Sequence, residues 1–232
     1  MPAEQRNNLT LTPQEIKTVL DELDEEYKAD PWAWFINEVN TTDEATQQKL
    51  RWPDKEYLRD LVDLMQTERL VAIPKSRRLM ISWFVSAWAV FKARYFPYHA
   101  VFIQSETEQK ASFLTDKRCV MIEGSLTEPL LRRTFKPIRT HLGAIGRITY
   151  DRTGSYIWAI PQGDSVIRSY TFSNLFMDES DFQPEGIAAL EAALSIAESD
   201  KSSQIVLITT SNGPSGAVAE ICKGVGFLRW SG

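Results

Sequence analysis

The spacing of apolar residues predicts that the chain begins with three helices. Thr12, Pro13 and Glu15 form the pattern of a capped helix start, and apolar residues at helical spacing continue the helix to about Tyr27. Asp30-Pro31 repeats the start signal for an aromatic helix. We expect residues 40–48 to form a loop and a third helix to begin at Pro53. Residues 1–66 are therefore interpreted as an N-terminal helical lid or support segment.

From Arg69 onward, short apolar runs alternate with helical patterns, which favours a mostly parallel sheet. The predicted helices cover residues 81–91, 105–122, 126–135 and 186–197, and the predicted strands cover residues 70–73, 100–104, 174–177 and 204–208. An antiparallel hairpin is predicted from residues 147–150 and 156–160, with a short strand at 166–170 beside it. The sequence thus predicts an α/β fold, with residues 67–232 as its core and helices flanking the sheet.

Composition excludes several classes of protein. Hydrophobic residues make up 43% and charged residues 25% of the 232 residues, which is ordinary for a globular chain. No apolar run reaches the roughly 18–20 residues that span a bilayer, so we expect a soluble, cytoplasmic protein without membrane contact. Two cysteines and two histidines are too few for a metal cluster of those residues. The net charge of −5 argues against positive potential over the whole surface, but it is compatible with a local basic surface.

The segment Arg69–Trp83, RLVAIPKSRRLMISW, reads as a buried strand, a loop opened by Pro74 and the start of a helix. Such geometry points helix N-terminal amides at a phosphate, and a loop lysine with a hydroxyl residue suits a nucleotide. The segment lacks the glycines of a phosphate-binding loop and has no lysine before Ser82. Taken alone, it is explained better as a basic loop between a strand and a helix.

Two adjacent carboxylates, Asp178 and Glu179, follow a predicted buried strand in the segment LFMDES. This pattern suits ATP hydrolysis, with Asp178 holding the Mg²⁺ shell and Glu179 polarising the attacking water. The alternative is that acidic residues simply begin the loop after a strand. The carboxyl ends of parallel strands line one crevice, so Lys75, Ser82 and this pair are expected to share one site.

A third polar segment, TTSN, follows the strand that ends at Ile208. Hydroxyl and amide groups at the same edge of the sheet could form hydrogen bonds to a terminal phosphate and relay hydrolysis to a moving part. A plain polar turn explains the segment equally well.

The order of four segments, KSRRLMIS, VFIQSETEQKA, SVIRSYTFSNLFMDES and VLITTSN, resembles the N-terminal ATPase domain of phage terminase large subunits. The resemblance covers roughly residues 50–215. It implies a P-loop NTPase fold of the ASCE/RecA-like class, with ATP and Mg²⁺ as cofactors. It also implies that hydrolysis powers translocation of double-stranded viral DNA into a procapsid.

The resemblance assigns roles within the loop. Lys75 corresponds to a phosphate-binding lysine displaced to the front of the loop, Ser82 to the hydroxyl residue at Mg²⁺, and Arg77 to a catalytic loop arginine. Met80 and Ile81 replace the usual Gly-Lys pair, which predicts weak nucleotide binding by the isolated domain. The complete predicted nucleotide-binding set is Lys75, Ser76, Arg77, Arg78, Leu79, Met80, Ile81 and Ser82.

Further roles follow from the same resemblance. Arg168 is expected to act as an arginine finger on the nucleotide of a neighbouring subunit, although it could simply pair with a surface acid. Thr209, Thr210, Ser211 and Asn212 match the coupling motif of the family. The segment Trp52–Tyr57 is the only candidate for an adenine contact, and Gln47 and Gln48 are more distant.

The implied partners are double-stranded DNA, a portal protein and a small terminase subunit. The chain is expected to form a homo-oligomeric ring when assembled, to be a monomer when isolated and to act in the cytoplasm of the infected bacterial host. No segment remains after Trp230 for a nuclease domain, so the chain is not expected to cleave DNA. Candidate DNA contacts, which could equally form a solvated basic face, are Arg132, Arg133, Lys136, Arg139, Arg147 and Arg152.

Two alternatives to a packaging ATPase remain from the sequence. A helicase-like or recombinase-like motor would normally keep a Gly-Lys pair in the loop, and a helicase would need a second motor domain. A docking module that retained the fold and lost nucleotide binding is compatible with the missing glycines. Titration with ATP and Mg²⁺ separates this last alternative from the two motors.

Overall fold

The computed structural model describes residues 12–43, 46–76, 79–139, 145–210 and 216–223. Three helices come first in the chain: α1 (Pro13–Ala29), α2 (Pro31–Asn37) and α3 (Glu56–Thr67). Thr12 caps α1 as predicted, because its side chain accepts from the backbone N–H of Glu15 and the Glu15 carboxylate accepts in return. The later helices are α4 (Ile81–Tyr95), α5 (Glu108–Phe113), α6 (Val120–Ser125), α7 (Asp164–Arg168), α8 (Gly186–Ser199) and α9 (Ala217–Lys223).

A seven-stranded sheet forms the centre of the molecule. Its strands are β3 (Leu70–Lys75), β4 (Ala100–Gln104), β5 (Phe135–Arg139), β6 (Ile145–Tyr150), β7 (Ser155–Ile160), β8 (Asn174–Asp178) and β9 (Gln204–Thr210). Their order across the sheet is β3-β9-β8-β4-β7-β6-β5. Strands β3, β9, β8, β4 and β7 run parallel, and β6 and β5 are antiparallel additions at one edge. The predicted mostly parallel sheet with an antiparallel hairpin is therefore confirmed.

At three places away from the ends of the parallel strands, the predicted elements were wrong. Residues 166–170 do not form a strand, because α7 covers Asp164–Arg168 and buries Ile167. A short apolar run has no periodicity that separates a strand from a helix. The predicted helix at 126–135 is reduced to a 3₁₀ turn, Leu131–Thr134, followed by β5. The predicted loop at 40–48 contains β1 (Asn40–Thr42), which pairs with β2 (Lys49–Arg51), a strand too short and too exposed to produce an alternating pattern.

The two faces of the sheet bury separate apolar clusters, as side-chain alternation along each strand requires. Val71 and Ile73 point to the cluster beneath α4, whereas Leu70 and Ala72 contact the cluster beneath α8. The α4 cluster also contains Trp34 from α2 and the inward residues of α3, so the N-terminal helices pack on that face of the sheet. Residues 1–66 and 67–232 thus share one core wherever both are described.

Aromatic rings dominate the α4 side of the core. Phe35 stacks on Phe84 with ring centroids 5.4 Å apart and lies 4.8 Å from Trp52, while Trp34 lies 5.4 Å from Phe91. Each such pair contributes about 0.5–1.5 kcal/mol beyond its area burial. Because α4 begins with Ile81 and Ser82 of the predicted nucleotide-binding set, this packing fixes the position of those two residues relative to the sheet.

A buried ion pair joins three elements on the same side of the sheet. Arg94 of α4 pairs with Glu123 of α6, and the Tyr150 hydroxyl donates to the other Glu123 oxygen at 2.6 Å. Cys119, also fully buried, directs its thiol toward the Ser86 carbonyl. Burial raises the pKa of that thiol to about 12, so it remains a neutral side chain of the core. No helix within the described residues is long and apolar enough to cross a bilayer.

Candidate active site

The carboxyl ends of three neighbouring parallel strands bring the predicted site residues together. In the sheet register Lys75, the last residue of β3, lies opposite Thr210, the last residue of β9. On the other side of β9, Asp178 at the end of β8 lies opposite Ile208. Residues far apart in sequence therefore meet at one edge, where open parallel sheets bind their ligands.

The Lys75 ammonium lies at the centre of this group. Its Nζ donates to Ser82 Oγ at 3.0 Å and lies 3.5 Å from Asp178 Oδ1 and 3.2 Å from Glu179 Oε1. The Lys75 side chain is only 10% exposed, so this network has little screening by water. The structure thus joins the strand–loop–helix segment to the carboxylate pair, as the sequence predicted.

The loop reaches α4 through a left-handed residue. Met80 has φ 56° and ψ 8°, and its carbonyl accepts the first helical hydrogen bond from Phe84 N–H at 2.9 Å. A residue other than glycine adopts this conformation at a cost of about 1–2 kcal/mol. Tyr57 of α3 supports the loop, because its hydroxyl donates to the Leu79 carbonyl at 3.2 Å. The turn into the helix is therefore made without the glycines of the usual motif.

The pKa values of Asp178 and Glu179 are shifted in opposite directions. Burial raises the pKa of Asp178, although the positive charge of Lys75 acts in the other direction. Burial also acts to raise the pKa of Glu179, but hydrogen bonds from Thr210 and the charge of Lys75 outweigh it, so this pKa is lowered. Glu179 is thus held in the charged form, which accepts hydrogen bonds.

The end of β9 contacts the residues that follow β8. The backbone N–H of Thr210 donates to Glu179 Oε2 at 3.0 Å, and the N–H of Asp181 donates to Thr209 Oγ1 at 3.3 Å. Thr209 and Thr210 belong to β9 itself, so their predicted loop conformation was wrong. Glu179 adopts a left-handed conformation with φ 49°, which turns the chain immediately after the strand. The predicted coupling residues Ser211 and Asn212 lie outside the described residues.

A cavity of about 800 Å³ opens over this group, a size within the range of ligand sites. Lys75, Ser82, Asp178, Glu179 and Thr210 line it. Ser76, Leu79, Met80 and Ile81 of the predicted loop also line it, whereas Arg77 and Arg78 lie outside the described residues. The described part of the predicted nucleotide-binding set therefore faces one cavity.

The donor set fits the Mg²⁺ that the resemblance implies. Ser82 Oγ and Asp178 Oδ1 are oxygen donors, and they lie 3.0 Å and 3.5 Å from the Lys75 ammonium, so both already face a cation. Mg²⁺ is usually held by one or two protein oxygens, with substrate phosphates and water in the other positions. Within the described residues no cluster of histidine, cysteine and acidic residues is built to hold a metal by itself.

Arg168 does not join this cavity. It ends α7, its side chain is 59% exposed, and its Nε donates to Asp164 Oδ2 at 3.0 Å within the same helix. The side chain is therefore presented to solvent rather than to the site of its own chain.

The predicted basic residues have mixed surroundings. Arg132 donates to the carbonyls of Leu126 and Thr127, and Arg152 pairs with Asp21 and Asp24 of α1. Lys136 pairs with Asp151, and Arg147 stacks 4.0 Å from the centroid of Tyr156. Arg133 and Arg139 have exposed side chains on the 3₁₀ turn and on β5. Arg132 and Arg152 are thus engaged in contacts within the protein and do not contribute to a continuous basic track.

Sequence reasoning missed part of the cavity wall. The β1–β2 hairpin contributes to this wall. Trp52, in the predicted adenine segment, does not line the cavity, because it is 3% exposed and belongs to the core. Most positions of this wall carry no motif, because they reach the cavity through the packing of the hairpin, of the helix after β4 and of the turn after β8. Trp83 reaches it from the start of α4. The missed wall residues are Thr41, Thr42, Asp43, Leu50, Trp83, Glu106, Lys110, Phe113, Leu114, Arg118 and Phe182.

Comparison with solved structures finds several phage large terminases. The bacteriophage HK97 large terminase superposes with a TM-score of 0.58 at 9% identity, covering 80% of this chain and 38% of that one. The large terminase of a thermophilic bacteriophage, in complex with ATP-γ-S, gives 0.53 at 13% identity, covering 70% and 39%. A mutant ATPase domain of the Thermus phage P74-26 large terminase gives 0.52 at 17% identity, covering 71% and 68%.

These matches carry information about the fold. No protein-family model and no curated protein sequence matches the chain. The chain spans less than two fifths of the HK97 and thermophilic-phage terminases, at 38% and 39% of their lengths. The likeness is one of fold: this chain has a mostly parallel seven-stranded sheet flanked by helices. The chain has the fold of the ATPase domain of phage large terminases.

Proposed function

We propose that this chain is the ATPase domain of a phage terminase large subunit and that it hydrolyses ATP with Mg²⁺. The observation that supports the proposal is the contact of Lys75 with Ser82, Asp178 and Glu179 inside one cavity. A cation, a hydroxyl and two carboxylates of different basicity are the groups that phosphoryl transfer to water requires.

Each group has a distinct part in the proposed reaction. Lys75 and the backbone of Ser76 and Leu79–Ser82 bind the phosphates, while Ser82 and Asp178 supply the protein oxygens for Mg²⁺. The bound ion would neutralise charge on the β- and γ-phosphate oxygens. Glu179 orients the attacking water and is the group that receives its proton. Its lowered pKa keeps it a charged hydrogen-bond acceptor for that water at neutral pH. Arg77 is proposed as an additional phosphate contact from the loop.

Coupling to movement is assigned to the end of β9. Thr210 donates directly to Glu179, and Thr209 accepts from the backbone after it, so a change at the carboxylate is transmitted to this strand end. Together with Ser211 and Asn212, these residues are proposed to link hydrolysis to motion. The work performed is proposed to be translocation of double-stranded DNA into a procapsid, in the cytoplasm of an infected bacterium.

The proposed assembly is a homo-oligomeric ring on a portal protein, supplied with DNA by a small terminase subunit. Arg168 is proposed to reach the nucleotide of a neighbouring subunit, in agreement with its exposure at the end of α7. Arg133, Lys136 and Arg139 are the proposed DNA contacts, since their side chains are exposed around β5. Arg132 is retained only as a neighbouring contact because its guanidinium donates to main-chain carbonyls.

The proposal is tested by measuring ATP binding and turnover in Glu179→Gln and Lys75→Ala. Glu179→Gln should bind ATP and lose turnover by roughly 10²-fold or more, because the general base is gone. Lys75→Ala should lose binding itself, since no other described side chain places an ammonium between the carboxylates and Ser82.

Lys110→Ala is a matched control, because Lys110 also lines the cavity but pairs with Glu106 at its exposed rim. It should retain turnover. Full ATP turnover in Glu179→Gln would contradict the mechanism proposed for Glu179. Absence of any saturable ATP signal with the unaltered chain, with or without DNA, would favour a nucleotide-independent docking module instead.

A further inference from the structure

A second wall of the cavity comes from the helix that follows β4, and it carries an arginine to which no role has been assigned. Phe113, Leu114 and Arg118 line the cavity from this side, together with the rim pair Glu106 and Lys110. Leu114–Cys119 is a π-helical segment between α5 and α6. Such segments are rare in proteins overall, but those that occur often lie at functional sites, because the widened turn changes the direction of its side chains.

Aromatic contacts hold the Arg118 guanidinium beside the start of α4. Its Cζ lies 5.7 Å from the ring centroid of Trp83 and 5.8 Å from that of Phe113. Trp83 directly follows Ser82, so the guanidinium lies next to the proposed phosphate-binding loop. A guanidinium carries its N–H donors in a rigid planar fork that can bind two oxygens of a phosphate at once.

The charge of Arg118 acts at the end of the cavity where the carboxylates lie. Burial raises the pKa of Asp178, and the charges of Lys75 and Arg118 both oppose that rise. Arg118 is thus within electrostatic range of the carboxylate proposed to hold Mg²⁺. An ion held by that carboxylate would be expected to lie beside the terminal phosphates, so Arg118 would face the same part of the nucleotide.

The geometry points to Arg118 as a phosphate-binding residue that contacts the terminal phosphate of a nucleoside triphosphate in its own subunit. The inference rests on the proposed function of the cavity. It differs from the role of Arg168, which lies on another element and outside this cavity. A second cation beside the terminal phosphate also compensates for a loop that lacks the Gly-Lys pair.

The test is calorimetric titration of ATP and of ADP, each with Mg²⁺, into the unaltered chain, Arg118→Gln and Arg118→Lys. Arg118→Gln should weaken ATP binding by about tenfold, because a hydrogen bond between charged groups is lost. ADP binding should change by less than about twofold. Arg118→Lys should retain part of the preference for ATP, since the charge remains without the planar donor pair.

Arg59→Gln is the matched control, because Arg59 also stacks on a tryptophan, with Cζ 5.4 Å from the centroid of Trp32, but does not line the cavity. It should leave both affinities unchanged. An equal loss of ATP and ADP affinity in Arg118→Gln, as misfolding would give, overturns the assignment, as does unchanged ATP affinity. If the unaltered chain binds neither nucleotide, the proposed function fails. If the unaltered chain binds both nucleotides and Arg118→Gln leaves the ATP affinity unchanged, this inference alone fails.

Discussion

At the scale of single residues, the sequence neighbours Asp178 and Glu179 are held in different ways. Asp178 ends a central strand and is 9% exposed. Its backbone carbonyl accepts a hydrogen bond from Gln183 Nε2 at 3.1 Å. Glu179 has left the strand in a left-handed conformation and accepts from Thr210. The fold therefore disfavours the charge of Asp178 and favours that of Glu179, which is a difference that stability measurements can detect.

We predict opposite stability effects for the two isosteric amides. Asp178→Asn should raise the free energy of unfolding at pH 7 by about 1 kcal/mol, because a desolvated charge is removed. Glu179→Gln should lower it by about 1 kcal/mol, because favourable hydrogen bonds to a charge are weakened. Urea unfolding at pH 7 measures both changes.

The pH dependence provides the check on the signs. The pKa of Asp178 is raised above 3.8, so the advantage of Asp178→Asn should disappear as the pH falls through that raised value. The pKa of Glu179 is lowered below 4.5, so its contribution is complete above pH 4.5 and is lost only as the pH falls through the lower value. Two changes of the same sign at pH 7 would contradict this account.

The residues with strong chemical signatures could be predicted from sequence, and others could not. Lys75, Ser82, Asp178 and Glu179 each stand at the end of a recognisable apolar strand or at a helix start. Arg118 and Phe113 lie in the middle of a helical pattern, where an arginine ordinarily faces solvent. The cavity reaches them through the path of the helix after β4, which no local pattern encodes.

At the scale of elements, the connection from β8 to α8 has little room. A 3₁₀ turn, Ser180–Phe182, follows Glu179, and its Asp181 carboxylate accepts from the Val218 N–H of α9 at 2.8 Å. Gly186 begins α8 directly against this turn, so that a Cβ there would lie 2.6 Å from the Ser180 carbonyl oxygen. The position of Glu179 therefore depends on a close backbone approach one turn away.

Glycine substitutions test this dependence. Gly186→Ala should lower the free energy of unfolding by about 1–3 kcal/mol, because the turn must shift to admit the methyl group. It should lower ATP turnover more than ATP binding, because Glu179 precedes that turn. Thermal unfolding and a turnover assay measure the two effects.

Gly124→Ala is the matched control, because Gly124 lies in α6 with nothing within 4 Å of its added Cβ. It should raise the free energy of unfolding by about 0.5–1 kcal/mol through helix propensity and leave turnover unchanged. Similar destabilisation in both variants would show that the Gly186 contact has no special importance.

At the scale of the whole molecule, the N-terminal helices and the sheet form one apolar unit. Trp34 and Phe35 of α2 pack on Phe84, Trp88 and Phe91 of α4. The same helix begins with Ile81 and Ser82 in the cavity. The N-terminal segment therefore supports the site from behind, whereas the β1–β2 hairpin within it forms part of the cavity wall.

The exposed position of Arg168 leads to a prediction about assembled subunits. Arg168→Ala should lower turnover by roughly 10³-fold at concentrations where the turnover of the unaltered chain per subunit rises with concentration. Mixing it with Glu179→Gln should restore part of the activity, because an intact site then receives an intact arginine from its neighbour. Arg118→Gln mixed with Glu179→Gln should keep its weakened ATP affinity, because Arg118 is proposed to act within its own subunit.

A dilution series provides the contrast for this experiment. Arg168→Ala and the unaltered chain should have the same residual turnover when dilute and monomeric, because the arginine pairs with Asp164 and lies outside its own cavity. An equal fractional loss at every concentration, or no recovery on mixing, would mean that Arg168 does not act between subunits.

The sequence by itself determined the alternation of strands and helices, the capped first helix and the polar groups at three strand ends. These features depend on spacing along the chain, which burial of one face imposes locally. The tertiary structure decided the strand order that brings Lys75 beside Asp178, the helical state of α7, the hairpin at the cavity and the approach of Arg118. These outcomes depend on packing between distant segments, because several arrangements satisfy the same local pattern and only the shared core selects one.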